Sequence, residues 1–140
     1  MDLKSMKQAA EREIFRYRDN RAYVQGVLDG CGDPDRLQFI SRAKWAHAVD
    51  LARAHWERKD PLKAKFFLCY YRPDRPLKRY EQRPTVCALA RKLNVSVPTL
   101  YKWRSELLTT VVLAAIQTGA LRPYGVSEEE TEALPTPHES

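Results

Sequence analysis

Glycine, cysteine and histidine are scarce in this chain, and it has no apolar run long enough to span a membrane. Five glycines in 140 residues, against abundant Ala, Leu, Arg and Lys, favour helix over sheet. The three cysteines, Cys31, Cys69 and Cys87, form no CxxC pair. That argues against a disulfide framework or a zinc site and for reduced thiols in a cytoplasmic protein. No apolar stretch follows a basic start, as a secretory signal would require. The most apolar window, LLTTVVLAAIQTGAL from Leu107 to Leu121, is shorter than a bilayer span and carries Thr and Gln, so no membrane association is expected. Paired carboxylates, a nucleophile–His pair, a glycine-rich phosphate loop and metal-ligand spacing are all missing. His47 and His55 lie on one helix beside tryptophans, share their face with no acid or thiol, and read as core or rim residues. The expectation is a non-enzyme with no metal and no cofactor.

What is present suits an all-α protein. The length is that of one domain, and a hydrophobic fraction of 44% is enough for a packed core. Residues 1–71 read as a region of long helices. The first spans residues 2–28, with Leu3, Met6, Ala10, Ile14, Tyr17, Val24 and Leu28 on one stripe that Arg21 interrupts. DGCGDP then breaks the chain. A second helix is expected from Pro34 to Arg58, N-capped by Asp33, with Leu37, Ile40, Trp45, Ala48, Leu51, Ala52 and Trp56 facing inward. KDPLKAKFFLCYY restarts with Asp60 as N-cap and Pro61 at the first helical position; Leu62, Phe66 and Cys69 or Tyr70 would face the core. Residues 72–84, RPDRPLKRYEQRP, are a basic loop with three prolines. Residues 120–140 form an acidic tail expected to be disordered. The segment TTVVLAAI, Thr109 to Ile116, packs on the N-terminal helices or forms a dimer contact, so a homo-oligomer is one expectation.

Residues 85–119 carry the functional signal. CALARKLNVSVPTLYKWRSEL, Cys87 to Leu107, holds two apolar patterns divided by Asn94-Val95-Ser96. Asn tolerates the left-handed backbone of a tight helix-to-helix turn. Ser96 can accept a backbone N–H as N-cap, and Pro98 in the first turn lacks an N–H that would go unpaired. Ala90 allows a close helix crossing, while Leu89, Leu93, Val95, Leu100 and Trp103 have the spacing to fill the wedge. Cys87 reads as a small buried residue of the first helix. The second helix runs to about Thr118, with Gly119 as its stop.

The stretch resembles a DNA-binding helix-turn-helix, with Asn94 where most members carry Gly. In such motifs the second helix enters the major groove of double-stranded DNA and its N-terminal residues reach base edges. The candidate DNA-binding residues are Ser96, Val97, Pro98, Thr99, Tyr101, Lys102, Arg104 and Ser105, with Tyr101 and Lys102 favoured. Arg75, Lys78, Arg79 and Arg83 would join them from the preceding loop, which is expected to be mobile enough to reach the backbone or a minor groove. This face offers no Asn or Gln to read adenine, so DNA shape should matter. Charge supports the placement: from Arg58 to Arg104 there are thirteen Lys or Arg against three acids, whereas the whole chain carries a net +6.

The element order is similar to that of the RinA/ArpU-type late transcriptional regulators of phages and prophages, whose C-terminal part is like region 4 of sigma factors. The resemblance spans roughly residues 5–118 in layout and Ala88 to Glu106 in motif. It implies a transcriptional regulator that binds a promoter element and contacts RNA polymerase. The alternative is a phage terminase small subunit, which also joins such a motif to helical assembly elements and binds DNA for packaging, in a ring.

Overall fold

The computed structural model describes residues 2–30 and 35–122. These residues form six helices and no strand: α1 Leu3–Phe15, α2 Tyr17–Leu28, α3 Arg36–Lys59, α4 Pro61–Tyr71, α5 Val86–Leu93 and α6 Val97–Thr118. The protein is all-α, and no described helix is long and apolar enough to cross a membrane.

Local chemistry sets most of the boundaries. Asp2, Asp35, Asp60, Thr85 and Ser96 each accept a backbone N–H from three residues ahead, which satisfies a donor that the first helical turn leaves unpaired. Asp33, expected to cap the second helix, lies outside the described residues; Asp35 caps α3. The helix expected over residues 2–28 is in fact two, broken at Arg16 (φ −93°, ψ 4°). The bend brings together two buried polar side chains seven residues apart: Asn20 Nδ2 donates to Glu13 Oε1 at 3.1 Å, and Arg16 donates to the other Glu13 oxygen at 3.3 Å. Arg21, the basic residue on that stripe, points outward and pairs with Asp50 at 3.1 Å.

The long helices α3 and α6 are the axis of the fold. They pack against each other, with α2 against α3 and α1 mainly against α6. The main core joins Ala10, Ile14 and Tyr17 to Trp45, Ala48, Val49, Ala52 and Trp56 of α3 and to Leu107, Leu108, Val111, Val112 and Ala115 of α6. Alanines at the crossings let the backbones approach closely, as ridge-into-groove packing requires. The inward face of α3 therefore differs from the expected one. Leu37 is 76% exposed, Ile40 and Leu51 also lie outside, and Ala46 and Val49 are buried in their place.

A second, smaller core holds Phe66, Leu89, Ala90, Leu93 and Leu100, edged by Cys69, Tyr70, Val95 and Trp103. Consecutive residues of α4 serve the two cores: Phe67 enters the main one and Phe66 the smaller one. Leu62, expected inside, is exposed, whereas Ala64, Phe67 and Tyr71 are buried. Because α6 runs through both cores, the α5–turn–α6 unit is joined to the helical body without a hinge.

Candidate nucleic-acid interface

The turn after α5 follows from one residue's backbone tolerance. Asn94 sits at φ 58°, ψ 46°, and the Val95 N–H returns to the Ala90 carbonyl at 3.0 Å, closing the end of α5. Two residues later Ser96 Oγ accepts the Thr99 N–H at 3.2 Å and lies 2.7 Å from the Thr99 hydroxyl. Leu89, Leu93 and Leu100 fill the wedge between α5 and α6, with Ala90 buried at their crossing. Cys87, expected to be buried, is exposed, because only the inner side of the short α5 packs.

The helical repeat sorts the candidate residues. Pro98, Tyr101, Lys102 and Ser105 stand at spacings of three, four and seven, so they share one face of α6, and all four are exposed. Tyr101 is 54% exposed. Among the described residues Lys102 has no ion-pair partner, since Glu106, one turn on, is taken by Lys63 at 2.7 Å. Val97 leans into the smaller core, and Thr99 is half-buried and bonded to the cap.

Arg104 lies on another side of α6, facing α1. Its guanidinium makes two bonds to the Glu11 carboxylate, at 2.8 and 2.6 Å, and Tyr71 donates its hydroxyl to the same carboxylate at 2.6 Å. Burial pushes the Glu11 carboxyl up, but the bonds from Arg104 and Tyr71 outweigh it and hold Glu11 below the usual glutamate range. Bonding to Glu11 moves Arg104 further up; burial, reinforced by the same carboxylate, does so for Tyr71.

The basic loop, expected to be mobile, is tethered at several points. Arg53 holds Asp74 with two bonds of 2.7 and 2.6 Å, and Arg72 pairs with Glu81 at 2.5 Å. Arg83 donates to the Tyr70 carbonyl and stacks on Phe15, its guanidinium carbon 4.5 Å from the ring centre. That leaves Arg75, Lys78 and Arg79 exposed, Arg79 lying over its neighbour Tyr80. Between loop, α4 and α5 lies a cleft of about 500 Å³ bordered by Arg75, Cys69 and Lys92. Two exposed cations of α5, Arg91 and Lys92, were not singled out from the sequence, although both sit within its basic stretch. The described residues gather no group of three His, Cys, Asp or Glu side chains able to hold a metal ion.

No protein-family model, curated protein or solved structure matches this chain.

Proposed function

We propose that the chain is a sequence-specific double-stranded DNA-binding transcriptional regulator, a helix-turn-helix protein of the phage late-regulator kind. Its α6 enters the major groove, and the reading assigns it no catalysis. It is carried by the exposed stripe of Pro98, Tyr101, Lys102 and Ser105 on the first turns of a capped helix, beside cations that no carboxylate of the described residues pairs with. Lys102 reads a base edge, Tyr101 contacts a base or phosphate, and Pro98 offers only apolar contact, for example to a thymine methyl. Arg75, Lys78, Arg79 and Arg91 supply phosphate contacts, which give affinity and register rather than sequence. The family resemblance adds RNA polymerase as a second partner.

A selected duplex and a mixed-sequence duplex, titrated with the purified chain, test this. Lys102→Ala should weaken the selected complex by about 1–3 kcal/mol and narrow the gap between the two duplexes. Equal weakening on both would make Lys102 a phosphate contact, and no binding to either in dilute buffer would end the DNA reading.

A further inference from the structure

Lys7 and Ser105 are 98 residues apart in sequence, yet Lys7 Nζ donates to the Ser105 hydroxyl at 2.7 Å. Ser105 shares its face of α6 with Tyr101 and Lys102, so α1 borders the exposed stripe directly. Lys4, one turn back from Lys7 on the same side of α1, is exposed and forms no ion pair among the described residues, although the Asp2 carboxylate is close enough to feel its charge. Lys4, Lys7, Gln8 and Glu11 form one wall of a shallow cleft of about 350 Å³, with Arg104 and Leu108 opposite.

The arrangement is held in place one turn deeper. Glu11 clamps Arg104, the residue before Ser105, and so fixes the position of α1 along α6. Among the described residues lining that cleft Glu11 is the one carboxylate, and its oxygens are taken by Arg104 and Tyr71. The serine hydroxyl bonded to Lys7 carries no charge. Neither ammonium group is therefore spent on a carboxylate of the described residues.

We infer that α1 forms a second strip of the duplex-binding surface, Lys4 and Lys7 taking phosphates of the strand that borders the groove α6 enters. This rests on the DNA reading above and adds to it an element that lies outside the α5–turn–α6 unit. The cleft is open and its cations lie along a helix edge, which suits a phosphate backbone passing by rather than an enclosed small anion.

The test titrates the full chain against a fluorescein-labelled mixed-sequence duplex over a range of salt. Each phosphate contact contributes about 0.9 to the slope of log affinity against log salt. Lys4→Ala with Lys7→Ala should therefore make the slope shallower by about 1.8, and Lys4→Arg with Lys7→Arg should restore it. Arg36→Ala is the control and should leave the slope unchanged. Thr118 meets Lys44 of α3 at 3.3 Å, whereas Glu106 meets Lys63 of α4, whose ammonium lies over the ring of Trp56 near the end of α3; α3 therefore runs antiparallel to α6, and Arg36 lies beyond the far end of α6. Circular dichroism and melting of each variant separate lost charge from lost structure. A wild-type slope in the folded alanine pair overturns the α1 strip alone. A wild-type chain that ignores the duplex at low salt overturns the DNA reading, and the strip with it.

Discussion

At the scale of single residues, Glu11 has the most to lose. Its carboxylate accepts from Arg104 twice and from Tyr71 once, joining α1, α4 and α6 at one point. Removing its charge leaves a partly buried guanidinium without a counter-ion and a buried tyrosine hydroxyl with a poorer acceptor. Glu11→Gln should lower unfolding free energy by about 2–3 kcal/mol, read from the urea midpoint. The pH dependence has a definite sign. A carboxyl held below its ordinary value of 4.5 stabilises the fold fully above that value. The contribution fades as pH falls through the lowered value and the native carboxylate is protonated. The wild type should thus lose more stability between neutral pH and about pH 3 than Glu11→Gln does. Parallel losses would mean that the clamp contributes little.

At the scale of elements, the α5–turn–α6 unit depends on a crossing that only a small side chain permits. Ala90 is 5% exposed among Leu89, Leu93 and Leu100. Ala90→Leu forces extra methylenes into that wedge and should cost about 1–3 kcal/mol. Asn94→Gly should be close to neutral because Gly accepts the left-handed backbone, whereas Asn94→Val should destabilise by about 1–2 kcal/mol. Thermal melts of the three variants check the order, and an unchanged midpoint for Ala90→Leu would contradict the close crossing. This unit was legible in the sequence because its signals are local: Asn94, Ser96 and Pro98 each do their work within a few residues. The face of α3 was not. Large aliphatics such as Leu37 and Ile40 suggested the buried side, but α3 meets its neighbours through alanines and Val49, and a sequence cannot show which helices will stand close enough to need them. Contacts across α1 and α6 were equally hidden, since nothing near Lys7 or Glu11 indicates Ser105 or Arg104 more than ninety residues away.

At the scale of the whole molecule, the count of positive charge changes meaning once the fold is known. Of the thirteen cations from Arg58 to Arg104, Lys63, Arg72, Arg83 and Arg104 are spent inside the protein, on Glu106, Glu81, the Tyr70 carbonyl and Glu11. The three acids of the same stretch are spent too: Asp60 as a helix cap, Asp74 on Arg53 and Glu81 on Arg72. The charges of this stretch left unpaired among the described residues are therefore cationic. The tethers bear on how the loop would take part. Asp74, held by Arg53, and Arg83, held by Tyr70 and Phe15, fix both ends, so under the DNA reading Arg75, Lys78 and Arg79 would meet phosphates from a braced backbone. Each that makes such a contact should add about 0.9 to the salt slope, so replacing all three with alanine should flatten it by up to about 2.7. Discrimination between a selected and a mixed-sequence duplex should hardly change, because phosphate contacts carry no sequence information. A slope equal to that of the wild type would put the loop outside the interface. A loss of discrimination with the slope intact would make these side chains readers of a groove instead.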